Sequence, residues 1–175
     1  RHVSTNGREF AAALEQLVTS WPVPVTEVTV LAHSMGGLVT RSACQLAEEQ
    51  GLSWRKLLRT IVFLGTPHQG APLERAGNVV GTLLGISRYS APLMALAQIR
   101  SAGVTDLRFG LTRDDEWQSV DRFAHEADPR KSAALPAGVT CFTIAATTSK
   151  EVTPSAVGDG LVPIDSALGK HERPE

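Results

Sequence analysis

Leu31-Ala32-His33-Ser34-Met35-Gly36-Gly37 is the stretch that decides the fold. Before it, Thr26-Glu27-Val28-Thr29-Val30-Leu31 is short and rich in β-branched residues, which predicts a strand. After it, residues 35–49 predict a helix, with Leu38, Val39, Ser42, Leu46 and Ala47 on its apolar face and Gly51 as its stop. A serine lodged between a strand and a helix is the context of a nucleophile elbow. Such a turn forces the serine into strained backbone angles and lifts its hydroxyl clear of the sheet. Strand and helix pass close together there, so the positions two before and two after the serine must be small. Here they are Ala32 and Gly36. Glycine is usual at the first of these, and alanine is the next smallest side chain. The positive end of the helix dipole and its free N–H groups then face a developing oxyanion, with the Met35 N–H as the natural first donor. The same string also fits a tight βα turn in which the serine caps the helix through its own side chain.

Working outward, residues 7–20 predict a helix capped by Asn6, with Glu9 at the capping-box position and Phe10, Leu14, Leu17 and Val18 on one face. Trp21-Pro22-Val23-Pro24 ends it, because proline cannot donate to a continuing helix. Residues 59–64 and 139–146 predict two further strands. Between them, residues 70–137 read as short helical pieces, around 72–84 and 91–101, broken by glycine and proline. Strand, helix, strand, long insert, strand is the alternation of a parallel α/β sheet. Three strands are few for such a sheet, whose buried strands need neighbours on both sides, so the sheet is expected to be incomplete at both ends.

Composition narrows the function. The chain has 175 residues, 42% hydrophobic and 20% charged, with a formal net charge of −1, which suits one domain with a core. No basic excess points to nucleic acid. Arg55-Lys56 and Arg130-Lys131 read as solvated loop charge. No apolar run approaches the ~20 residues of a membrane span. The opening Arg1-His2-Val3-Ser4 has no signal-peptide pattern, and a cytoplasmic location is the expectation, with an upstream signal left open. Cys44 and Cys141 belong to no Cys/His cluster, so no metal site is expected, and both read as free thiols.

Three segments together resemble the lipases and esterases of the α/β-hydrolase superfamily, in particular the GPI inositol-deacylase-like lipases. They are Ala-His-Ser-Met-Gly-Gly at 32–37, Phe-Leu-Gly-Thr-Pro-His-Gln-Gly at 63–70 and Gly-Asp-Gly-Leu-Val-Pro at 158–163. The resemblance implies an α/β-hydrolase fold, a central mostly parallel sheet with helices on both faces, and residues 1–175 as part of one such domain. It implies Ser34 as nucleophile and Asp159 as the acid that orients the catalytic histidine; Asp165, the competitor, reads as the cap of a following helix. It places His33, Thr66 and His68 at the pocket rim. It makes residues 66–138 a lid or acyl-pocket insert, in which Leu83, Leu84, Ile86, Leu93, Met94 and Leu96 either contact an acyl chain or pack the insert onto the domain.

The base is not among the obvious candidates. His33 sits inside the elbow, His125 precedes the acid, and His2 lies at the start of the chain. His171 has the right order, but in similar lipases the base follows one more strand, which places it beyond Glu175. The second oxyanion donor comes, in this fold, from an earlier loop. The implied activity is hydrolysis of a small-molecule or lipid ester through an acyl-enzyme, without cofactor, and without turnover in a chain lacking the base. An acyltransferase and a non-catalytic binding module on a hydrolase fold are the competing readings. The acyl length and the oligomeric state are not encoded in these motifs.

Overall fold

A computed structural model describes residues 2–70, 110, 112, 135–148, 158–159 and 162–170. The element order is α1 (Val3–Ser20), β1 (Val28–His33), α2 (Met35–Gln50), α3 (Ser53–Leu57), β2 (Leu58–Leu64), β3 (Thr140–Ile144) and α4 (Ile164–Ala167). The helical pieces expected around 72–84 and 91–101, and nearly all of the expected insert at 66–138, lie outside the described residues.

The strands form a parallel sheet in the order β1-β2-β3. β1 runs two residues past the expected Leu31, so Ala32 and His33 still pair with Phe63 and Leu64 and the chain leaves the sheet at Ser34. Register sorts the side chains into two faces. Val30, Ile61 and Cys141 align across the sheet, as do Ala32 and Phe63, and these pack with α1 and α2 around Ala11, Ala43, Cys44, Ala47, Trp54 and Leu58. The alternate positions align Leu31, Val62 and Phe142, then His33, Leu64 and Ile144. On that second face Leu31 is 69% exposed, Phe142 54% and Ile144 52%.

α1 departs from expectation at its start. It begins at Val3, with Asn6 inside the helix and His2 as a cap that makes no side-chain hydrogen bond. Packing explains the extra turn: Val3, Ser4, Gly7 and Ala11 are buried, and a Cβ on Gly7 would lie 2.7 Å from the Ser42 Cβ of α2. The close helix crossing therefore needs glycine there and overrides its poor helix propensity. The buried stripe runs through Gly7, Ala11, Leu14 and Val18, whereas Leu17 is 47% exposed. α2 is buried on two sides, against α1 at Ser42 and against the sheet at Cys44 and Ala47. Gly51 ends it in the left-handed conformation, φ 66°, as the sequence indicated.

Candidate active site

The strand-to-helix junction holds the site. Ser34 has φ 51° and ψ −127°, and it is the one non-glycine residue at positive φ among those described. Its N–H donates to the Leu64 carbonyl at 2.8 Å, and its carbonyl accepts from the Gly37 N–H at 3.0 Å. Backbone bonds thus hold the residue on both sides in a conformation that costs of order 1–3 kcal/mol. Its side chain makes no capping hydrogen bond to α2. That removes the simple reading of a serine cap and leaves the hydroxyl at the C-terminal edge of the sheet, beside the first turn of α2. Met35 is the first residue of that helix, and no acidic side chain occupies the first turn.

The steric demand falls one residue later than the sequence suggested. A Cβ on Gly36 would meet nothing within 4 Å outside the helix's own backbone. A Cβ on Gly37 would overlap the Thr66 Oγ1 and Cγ2 and lie 2.8 Å from its Cβ. Thr66, on the loop leaving β2, is completely buried against this notch, and its Oγ1 has no hydrogen-bond partner. At the other small position, Ala32 is 5% exposed and belongs to the core. His33 is exposed at the end of β1.

Asp159 stands at the same edge of the sheet. Its Oδ1 accepts from the Val162 N–H at 2.9 Å, which fixes the carboxylate in a tight local turn. Its Oδ2 would lie 3.4 Å from a Cβ on Gly65, itself at φ 54°. Gly65 follows Leu64, the residue whose carbonyl holds the Ser34 amide, so serine and carboxylate border the exit of one strand. Asp165 does not cap a helix: it lies in the first turn of α4, behind Pro163 at the cap position.

His68 is turned into the protein. Its ring stands edge-on to Phe63, with centroids 4.7 Å apart. Its Nδ1 lies 3.3 Å from Nη1 of Arg41 on α2. A guanidinium has only donors, so Nδ1 accepts and the neutral ring carries its proton on Nε2. That Nε2 is buried without a hydrogen-bond partner. Burial, reinforced by the Arg41 charge, lowers the imidazole from 6.5 to about 4. Neither ring nitrogen therefore serves Ser34 or Asp159 here. His125 and His171 lie outside the described residues.

Two residues of this region were invisible to sequence reasoning. Arg41 meets a histidine 27 positions away, and Ser166 takes the Gln69 N–H at 3.2 Å while donating to the Gly70 carbonyl at 2.7 Å. Neither has a local pattern that could have announced it. Burial raises the Cys44 thiol to about 12 and also raises Cys141, and both are free. The described residues hold no His/Cys/Asp/Glu group able to bind a metal ion, and none of their helices is long and apolar enough to cross a membrane.

The chain is similar in fold to a lipase of Bacillus licheniformis, BlEst2. Against its propeptide form the TM-score is 0.53 at 18% identity, covering 95% of this chain and 34% of that one. Against its mature form the TM-score is 0.42 at 21% identity, covering 67% and 42%. The chain thus spans well under half the length of the solved lipase chains it matches. No curated protein matches it. The family profile described as the PGAP1-like alpha/beta domain matches residues 11–151, which takes in the Ser34 turn and the Thr66–Gly70 loop and stops short of Asp159. Its lipase-like α/β-hydrolase architecture and that match over most of its length establish that the chain belongs to the PGAP1-like α/β domain family.

Proposed function

We propose that this chain carries the nucleophile and the acid of a serine ester hydrolase, Ser34 and Asp159, acting on a small-molecule or lipid carboxylic ester. The observation that carries the reading is the Ser34 backbone, at φ 51° and ψ −127° between β1 and α2, with its side chain making no cap bond. Strain of this kind persists only where the surroundings over-determine it, and it concentrates at functional sites. A histidine outside the described residues takes the proton from the Ser34 hydroxyl, and Asp159 holds that imidazole in the right tautomer and stabilises its charge. The Ser34 oxygen bonds to the ester carbonyl carbon, and the Met35 N–H faces the oxyanion. The C–O bond to the alcohol breaks, and the alcohol leaves with the proton returned by the histidine. Water, deprotonated by the same base, then cleaves the acyl-serine and restores the hydroxyl.

The test uses the full-length protein and a p-nitrophenyl ester. Ser34→Ala is expected to lower kcat by about 10³-fold or more, with the fold kept, and to abolish labelling by a fluorophosphonate. Asp159→Asn is expected to lose activity on the same scale through the wrong histidine tautomer. Full esterase activity in Ser34→Ala rules out the serine mechanism.

A further inference from the structure

The loop that follows β2 has no part in the chemistry just described, yet it touches both sides of the site. On one side Thr66 fills the notch that Gly37 leaves in the first turn of α2, with no room for even one extra carbon. Two residues on, the His68 Nδ1 faces the Arg41 Nη1 one turn further along the same helix, at 3.3 Å. On the other side the loop is bolted to the segment that follows Asp159. The His68 N–H donates to the Ser166 carbonyl at 3.1 Å, and the Gln69 N–H donates to the Ser166 hydroxyl at 3.2 Å. The Ser166 hydroxyl in turn donates to the Gly70 carbonyl at 2.7 Å and is itself buried. The Gln69 side chain bonds the Lys170 carbonyl, and the His68 ring lies against Gly169, where a Cβ would be 3.7 Å from its Cδ2.

We propose that residues 66–70 are a clamp that sets the position of Ser34 relative to Asp159, with Thr66 and Ser166 as its positioning residues. This rests on the hydrolase reading above. Ser34 and Asp159 sit on segments far apart in the chain: Ser34 is bonded across the sheet to Leu64, whereas Asp159 is bonded within its own turn to Val162. The end of β2 borders both at Leu64 and Gly65, and the loop that continues from it packs on the helix behind the one and bonds the segment behind the other. Thr66 bears on the turn that presents the Met35 amide and the Ser34 hydroxyl. Ser166 bears on the segment four residues beyond the turn that holds the carboxylate. The contact surfaces are rigid, a buried β-branched side chain on a helix backbone and three hydrogen bonds around one serine, so a displacement at either end is transmitted rather than absorbed.

A misplacement of about 1 Å can cost about 10²-fold in rate without weakening substrate binding, and this separates a positioning role from a merely structural one. In the full-length protein, with p-nitrophenyl butyrate as substrate and active sites counted by fluorophosphonate, Gly37→Ala is expected to lower kcat per site by about 10²-fold with KM within about twofold. The double variant Gly37→Ala/Thr66→Gly, which clears the overlap, is expected to recover at least tenfold of that loss. Ser166→Ala is expected to lower kcat by about tenfold at unchanged KM, with cooperative unfolding retained; if Gly37→Ala does not fold, this variant decides. Wild-type kcat in a folded Gly37→Ala or Ser166→Ala protein overturns the clamp, as does a double variant no faster than the single one. Ser34→Ala is run beside them. If it is inactive while the clamp variants are not impaired, the clamp alone fails; if it stays active, the hydrolase reading fails and takes the clamp with it.

Discussion

Ser34 shows how much a single residue can contribute against stability. Its φ of 51° and ψ of −127° suit glycine, the residue without a Cβ to collide with its own backbone. Replacing it with glycine is expected to raise unfolding stability by about 1 kcal/mol in chemical denaturation while removing the hydroxyl. Ser34→Ala keeps the strain and is expected to show no such gain. His68 gives the residue scale its pH dependence. Its imidazole is near 4 in the fold and ordinary, 6.5, in the unfolded chain. Between those values the unfolded state binds the extra proton, so stability is present above 6.5 and is lost as pH falls toward 4. The loss between pH 7 and pH 5 is of order 2 kcal/mol. Denaturation midpoints of the wild type and His68→Asn over that range are expected to converge on acidification.

At the scale of elements, packing decided where helices begin and which glycines matter. In most exposed helix interiors a glycine-to-alanine change gains up to about 1 kcal/mol. Gly7→Ala is expected to lose about 1–3 kcal/mol instead, because its Cβ would lie 2.7 Å from the Ser42 Cβ across the α1–α2 crossing. A rise in the thermal midpoint of Gly7→Ala would contradict that packing. The glycine pair after Ser34 divides in the same way. Gly36 faces open space and Gly37 faces Thr66, although the two are indistinguishable as letters. α3, a single turn absent from the sequence-based expectation, exists because Trp54 is completely buried between α1 and the sheet cluster.

Among the described residues, the two faces of the sheet are covered unequally. α1 and α2 cover the face of the sheet that carries Val30, Ile61 and Phe63, whereas Leu31, Phe142 and Ile144 on the other face are at least half exposed. The two faces are expected to respond differently to truncation in the 175-residue chain. Ile61→Ala, fully buried, costs about 2–5 kcal/mol, while Phe142→Ala costs under about 1 kcal/mol. Equal losses in urea titrations of the two variants would mean that both faces are covered.

The sequence alone determined what depends on neighbours along the chain. β-branched runs marked the three strands, Gly51 marked a helix end, and the Ala32–Gly37 string marked a serine at a strand-to-helix turn, because backbone propensity and steric exclusion act over a few residues. The α/β class followed from their alternation. The tertiary structure alone decided the features made by residues distant in sequence: the start of α1 at Val3 with Gly7 set against Ser42, the notch at Gly37 filled by Thr66, the inward turn of His68 onto Arg41, and the bond of Ser166 to the loop at 69–70. Such contacts arise from close packing, in which a side chain's fate is set by whichever surface happens to face it. No local pattern encodes that surface, so it emerges only when the chain is folded.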